Sequence, residues 1–334
     1  MTQKRIPEID IMRCICVLWV VAFSHLTDYT VYDISSPPVI FATRIMLAAM
    51  IFVSGMLLGK KDISKFSDCL LFYKSRFFHS YIPFLIACLA ALLEKLTIHE
   101  WLFKNNTVFI RTLFGISGIV LPAPSTLWFI CILFLFYAFT PFILWKKTWK
   151  SMLIKCLCIY ALFWILHLIF HIFDDRVLLY FPAFVLGLFY PYVIKLFQKK
   201  AQAVITFLLC AVLIIAFTVI GRNQKQNLFI QFPIAVCGIP FLFLLSRGIG
   251  HIKFVSTFLA FLGKSSMCFY LFHRQIYLLL QHFFGETFSL AFAYFVALPV
   301  CIITGILLDL AIKFLCKKLE GLFDKLCIPS RKVS

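Results

Sequence analysis

Hydrophobic positions along the chain gather into ten runs separated by charged or turn-rich breaks, near 11–30, 38–59, 78–97, 126–145, 152–172, 177–195, 202–220, 228–246, 266–284 and 288–316. Each approaches the roughly 20 residues a helix needs to cross the hydrocarbon of a bilayer. The pattern predicts an all-α, polytopic membrane helix bundle of about ten transmembrane helices, a single domain over 1–334 with no room for a separate soluble one. The first run follows Lys4 and Arg5 and superficially resembles a signal peptide. No small-residue cleavage site follows it, and nine further apolar segments do, so it reads as the first membrane helix. Only the connection from Trp101 to Pro124 is long. Its apolar centre, Val108 to Val120, is too short to cross and is expected to lie at the interface or dip partway in.

Composition strengthens the membrane reading. The 334 residues are 63% hydrophobic, 18% aromatic and only 14% charged, far from the quarter or so of charged residues in soluble domains. A net charge of +18 raises the question of nucleic acid, but the cations sit in short clusters between apolar runs rather than on one soluble face, and no nucleic-acid partner is expected. Alternate connections hold them: 24 of the 32 fall on one side, 6 on the other, and Arg44 and Arg274 lie within runs. The positive-inside rule places the richer side, with both termini, in the cytoplasm, and favours an even number of spans because dropping one would scramble the bias. The thirteen cysteines are scattered through apolar runs without metal or redox spacing and read as packing thiols.

Ionisable side chains at lipid depth are costly and are therefore functional candidates: His25, Arg44, His167, His273, Arg274 and Asp309. His25 lies late in the first helix, where a neutral imidazole suits general base catalysis; the alternative is a structural histidine bonded to a helix carbonyl or to Asp28. Arg13 begins the same helix twelve residues earlier, about 18 Å away at 1.5 Å per residue. With Lys74 and Arg76 it forms a set of cations able to hold a phosphate-bearing cofactor, or else a set of membrane anchors. His273 and Arg274 sit adjacent, midway along the ninth run. His167 and His171 have i, i+4 spacing, but only Asp174 and Asp175 support them, so no metal site is expected. No phosphate-binding glycine loop, nucleophile elbow or zinc-protease signature occurs, and position alone leaves enzyme and transporter equally open.

Four segments, in order, resemble the acyltransferase-3 family of integral membrane acyltransferases: Asp10 to Arg13 with His25; Phe52-Val53-Ser54-Gly55; Leu127-Trp128-Phe129 with Tyr137 and Pro141; and Ser265-Ser266 with Tyr270-Leu271-Phe272-His273. The resemblance implies a membrane O-acyltransferase, usually an O-acetyltransferase. It would move an acyl group from acyl-CoA, usually acetyl-CoA, to a hydroxyl of a cell-surface polysaccharide or lipid-linked sugar. It gives the catalytic role to His25 and donor roles to Arg13 and Arg76. Two departures stand out. The family spacing of eleven residues between arginine and histidine returns to one helix face, whereas twelve lands about 120° away, so a π-bulge or a different donor contact is required. The second basic residue before the proline of the third helix is replaced by His79 or Ser80, ahead of Pro83.

On this reading Arg13, Lys74 and Arg76 bind the donor phosphates, and His25 deprotonates the acceptor or carries the acyl group itself. Arg44 or His273 steadies the developing oxyanion. No metal is expected. The expected partners are membrane lipids, the glycan or lipid-linked acceptor and an envelope-assembly protein, with the chain multi-pass in a bacterial cytoplasmic membrane. The rival is a secondary transporter of a sugar or anion with the charges along its pathway, whose sign would be inverted repeats with paired broken helices; none is detected. A scaffold in an envelope-glycan assembly is a third reading.

Overall fold

The structure is a computed structural model that describes residues 6–29, 36–99, 102–124, 126–194 and 199–327, and its regular elements are helices apart from two isolated bridges. Lys4, Arg5, Lys195, Arg331 and Lys332 of the charge tally, and Trp101, lie outside the described residues. Helix α1 (Pro7–Leu18) opens on a proline, whose missing N–H costs nothing in a first turn, and passes without a break into a π-turn (Trp19–His25) and a 3-10 turn (Leu26–Tyr29). After α2 (Pro37–Gly59), α3 (Phe66–Arg76) runs through a second π-turn (Phe77–Tyr81) into α4 (Ile82–Thr97). Asn105 caps α5 (Asn106–Leu113), accepting from the Val108 N–H at 2.9 Å. Then follow α6 (Trp128–Leu144), α7 (Trp149–Phe170), α8 (Asp175–Leu188) and the single turn α9 (Tyr190–Val193). The described residues continue with α10 (Lys200–Ile220), α11 (Leu228–Ile249), α12 (Lys253–Gly263), α13 (Ser266–Phe284), the short α14 (Leu290–Phe292), a third π-turn (Ala293–Ala297) and α15 (Leu298–Cys327).

Every predicted apolar run contains helix. Six helical segments are long and apolar enough to cross a membrane: Pro37–Gly59, Phe66–Thr97, Trp149–Phe170, Lys200–Asn223, Leu228–Ile249 and Leu290–Lys325. The pair α12 and α13, bent by 67°, makes a seventh if it is one broken span. The runs at 11–30, 126–145 and 177–195 fall below this length as unbroken α-helix. The first changes to a π-turn, the second has 17 residues, and the third stops after 14, ahead of Pro191. Two stretches read from sequence as connections, Lys60 to Arg76 and Arg247 to Lys264, instead carry α3 and α12. In both, apolar residues recur at helical spacing between the cations, and a neighbouring helix covers one face. Segment 102–124 folds as α5 and a glycine turn, and it is tied to the bundle by the Tyr81 hydroxyl, which donates to the Leu113 carbonyl at 2.8 Å.

Helix packing in lipid gains little from the hydrophobic effect and depends on close contact, which small residues permit. The seam between α2 and α8 is of this kind. A Cβ on Gly55 would lie 2.2 Å from the Phe184 carbonyl oxygen, and one on Gly187 would lie 2.1 Å from that of Phe52. Turning Gly55 onto α8 leaves its neighbour Ser54, about 100° round the helix, facing an internal cavity on another side of α2. Above the seam, Phe136, Phe163, Phe181 and Phe184 interlock with ring centroids 5.1 to 6.5 Å apart.

Candidate active site

Helices α1 and α13 bring together two side chains that lie 248 residues apart: His25 Nδ1 is 2.7 Å from His273 Nε2, with the rings within 9° of parallel. His273 is fully buried and His25 partly so. The second nitrogen of His273 fixes the proton order. Its Nδ1 lies 2.9 Å from the Tyr270 carbonyl oxygen and 3.2 Å from that of Phe269, and a carbonyl can only accept. Nδ1 of His273 is therefore the donor, and in a neutral ring its Nε2 is the bare nitrogen. That nitrogen accepts from His25 Nδ1–H, and the lone pair of His25 is left on Nε2, the atom a general base must present.

His25 reaches this position because of the π-turn. Bonding from residue i to i+5 takes in one extra residue without turning everything beyond it. The twelve-residue separation from Arg13 is thereby accommodated, as the sequence required. Two ties hold the turn, and two more hold the segment just beyond it. The Tyr277 hydroxyl donates to the Val21 carbonyl at 3.3 Å, and the Trp19 indole donates to Thr43 at 3.1 Å. Just past His25, Arg274 pairs with Asp28 at 2.5 Å while the Tyr29 hydroxyl donates to the Arg274 carbonyl at 3.4 Å. Arg274 thus clamps the end of the first helix to α13 beside His273.

A cavity of about 210 Å³ lies toward the Pro7 end of α1, lined by Arg13, Ser54, Arg76, His79, Ser80 and Tyr270 among others. It brings together residues from all four segments that carried the sequence resemblance: Arg13, Ser54, Phe129 with Tyr137, and Ser266 with Tyr270. Asp10, buried and 4.0 Å from Arg13, steadies that guanidinium from one turn away. Arg76 lies over the Tyr137 ring at 5.6 Å, and its Nε is buried without a hydrogen-bond partner. The second π-turn carries His79 and Ser80 into the wall, where the sequence reading placed a missing basic residue. Tyr270 separates this cavity from the histidines: its ring is 5.9 Å from that of His273, and its hydroxyl donates to the Thr126 carbonyl at 2.6 Å.

The remaining predicted residues lie elsewhere. Lys74 sits in an apolar groove beside the cavity and pairs with Asp324, and with Glu320 at 3.7 Å, both on α15. Its charge is compensated from a helix that sequence alone could not bring near. Lys61 was not singled out, yet burial and the adjacent Arg76 charge hold its amine below the ordinary lysine range. The density of cations from Lys60 onward was the available signal. Arg44 lines a bowl at the other end of the bundle, whose wall includes neither His25 nor His273. His167 is held locally, its Nδ1 donating to the Phe173 carbonyl at 2.7 Å, and His171 is the left-handed cap of α7. Asp309 is satisfied by Ser265 at 2.9 Å and Lys313 at 2.6 Å, so it braces the bend between α12 and α13. Sequence reasoning passes over Glu94, buried in α4, because beside Lys95 it reads as a helix-end charge. Among the described residues no group of three or more His, Cys, Asp or Glu could hold a metal, and the described cysteines are free.

An imidazole pair with an oriented lone pair, set in a membrane helix bundle next to a cation-lined cavity, defines a membrane protein equipped for proton transfer to or from a bound substrate. The chain belongs to the acyltransferase-3 family: the family model described as Acyltransferase domain matches residues 6–309, which include all four resembling segments. It is a multi-pass membrane acyltransferase, and the choice between enzyme and transporter falls to the enzyme. No curated protein and no solved structure matches the chain.

Proposed function

We propose that the protein is an O-acyltransferase that moves an acyl group, acetyl in the first instance, from acyl-CoA to a hydroxyl of a cell-surface polysaccharide or lipid-linked sugar. The observation that carries the reading is the proton order of the histidine pair, which leaves a lone pair on His25 Nε2 while the partner ring, His273, lies 5.9 Å from Tyr270 at the cavity wall. Arg13 and Arg76 hold the donor phosphates by charge-assisted hydrogen bonds, with Lys61, close enough to feel the Arg76 charge, adding to the positive field. The thioester extends past Tyr270 toward His25. His25 Nε2 takes the hydroxyl proton as the acceptor oxygen bonds to the thioester carbon; the carbon–sulfur bond then breaks, and the same proton passes to the departing thiolate. His273 holds the His25 ring through its Nδ1–H and stabilises the imidazolium that forms, acting as a positioning residue.

The same reading places the Arg13 end of the bundle, with both termini, in the cytoplasm of a bacterial cell, and takes about ten helices as membrane crossings. The 24 to 6 division of cations supports it. The acceptor then approaches from the opposite side, and membrane lipids and an envelope-assembly protein are the expected neighbours. The test is thioester consumption by purified protein in nanodiscs with no gradient. His25→Ala should insert and fold normally yet lose acyl transfer; a variant that retains transfer removes His25 from the chemistry.

A further inference from the structure

The bowl at the end of the bundle away from Arg13 and Arg76 has a volume of about 500 Å³, within the usual range for small-ligand sites. Its wall is assembled from the start of α2 (Arg44), the end of α7 (His167), the start of α8 (Asp175, Arg176) and the start of α11 with its preceding turn (Gln226, Gln231). Four helix ends therefore meet on the side of the bundle away from the Arg13 and Arg76 cavity. The Trp19 to Thr43 hydrogen bond fixes Arg44 at the level of the π-turn, six residues before His25.

The two arginines and two aspartates of this wall match in number but are paired unevenly. Arg176 is neutralised by Asp174 through contacts of 2.9 and 2.6 Å, and its guanidinium also lies 4.3 Å from the Trp128 ring centroid. His167 is held by the Phe173 carbonyl and faces Asp175 at 3.4 Å. Gln231 donates to the Lys225 carbonyl at 2.7 Å. Arg44 has no ion pair among the described residues. Its Nε is buried without a hydrogen-bond partner, and the hydroxyl of the fully buried Tyr180 lies close enough to interact with the guanidinium. A guanidinium without an ion pair at this depth is expensive to maintain, and its planar fork matches an oxyanion. Around it, Gln226, Asp175 and His171 present the mixed donors and acceptors that suit sugar hydroxyls.

We propose that this bowl is the acceptor subsite and that Arg44 recognises an oxyanion, carboxylate or phosphate, carried by the acceptor glycan. The assignment rests on the O-acyl transfer reading for its purpose but not for its test. Arg44 then serves acceptor binding rather than steadying the oxyanion of the reacting carbon.

The test is equilibrium binding to the full chain in nanodiscs, without donor, so that it stands apart from any failure of acyl transfer. The probes are a tetragalacturonate, a neutral maltotetraose and a maltotetraose bearing a terminal phosphate. The wild type should prefer an acidic probe over the neutral one, with affinity falling as salt rises. Arg44→Gln should weaken the acidic probe by at least about tenfold, with Arg44→Lys intermediate. Asp175→Asn, at an exposed rim position, should tighten it, which keeps the test decisive if Arg44→Gln does not fold. Preference for the phosphorylated probe would assign the oxyanion to a phosphate-bearing carrier, and preference for the uronate to an acidic sugar. Equal affinity for acidic and neutral probes, or acidic binding indifferent to both substitutions, overturns the proposal.

Discussion

Replacing His273 tests the central geometry most directly. His273→Ala removes the acceptor 2.7 Å from His25 Nδ1 without touching the donor cavity, which the His273 side chain does not line. The substitution leaves a half-buried Nδ1–H unpaired and frees the His25 ring to adopt the other tautomer. A lost buried hydrogen bond of this kind costs about 1–3 kcal/mol. If that penalty falls on the transition state, kcat drops about 5- to 150-fold. Removing the base itself, in His25→Ala, should cost about 10²- to 10⁴-fold. The effects should not add, because His273 acts only through His25: the double variant should be no slower than His25→Ala alone. The assay is release of free thiol from acyl-CoA by purified protein with a hydroxyl acceptor, at varied donor concentration. The expected signature is lower kcat with donor KM unchanged. Additive losses, or a loss expressed only in donor KM, would refute the relay from His273 to His25.

Three further outcomes follow from other contacts. Gly55→Ala places a methyl 2.2 Å from a backbone oxygen that cannot yield, so the α2 and α8 seam should open at a cost of roughly 1–3 kcal/mol or more; a thermal melt of the detergent-solubilised protein reads it, and an unchanged melting temperature contradicts the seam. Lys61 is charged below its depressed pKa and neutral above it, so donor affinity should fall as pH rises through that titration. Lys61→Arg should remove the fall, whereas Lys74→Ala, its charge already matched by Asp324 and Glu320, should change donor KM less than Lys61→Ala does. Tyr277→Phe deletes the donor to the Val21 carbonyl and should destabilise the fold by about 1 kcal/mol; a variant as stable as the wild type shows the π-turn to be self-sufficient.

Much of this was legible in the chain. Lipid demands that each crossing segment satisfy its own backbone, so the apolar runs declare helices with little competition. The mismatch between twelve residues and eleven announced a local adjustment in the first helix, and the π-turn supplies it. What sequence could not supply was pairing across long separations. His25 and His273 each stood out by depth, but nothing in either neighbourhood indicated that they touch. Lys74 looked like a phosphate ligand because its partners sit some 250 residues away on α15. Arg44 joined the catalytic candidates by depth alone, and its place in a separate bowl depends on how four helix ends converge. Helix α12 was hidden because its cations resemble those of a connecting loop.

The swelling in the first helix also bears on how such a bundle tolerates change in length. A surplus residue in a regular helix would rotate every later side chain by about 100° and aim the base away from its partner. Stored as one widened turn, the surplus is absorbed where it occurs. The segment behaves as a slack loop in an otherwise taut cable, letting the cation anchor and the imidazole keep their separate bearings although the count between them differs by one.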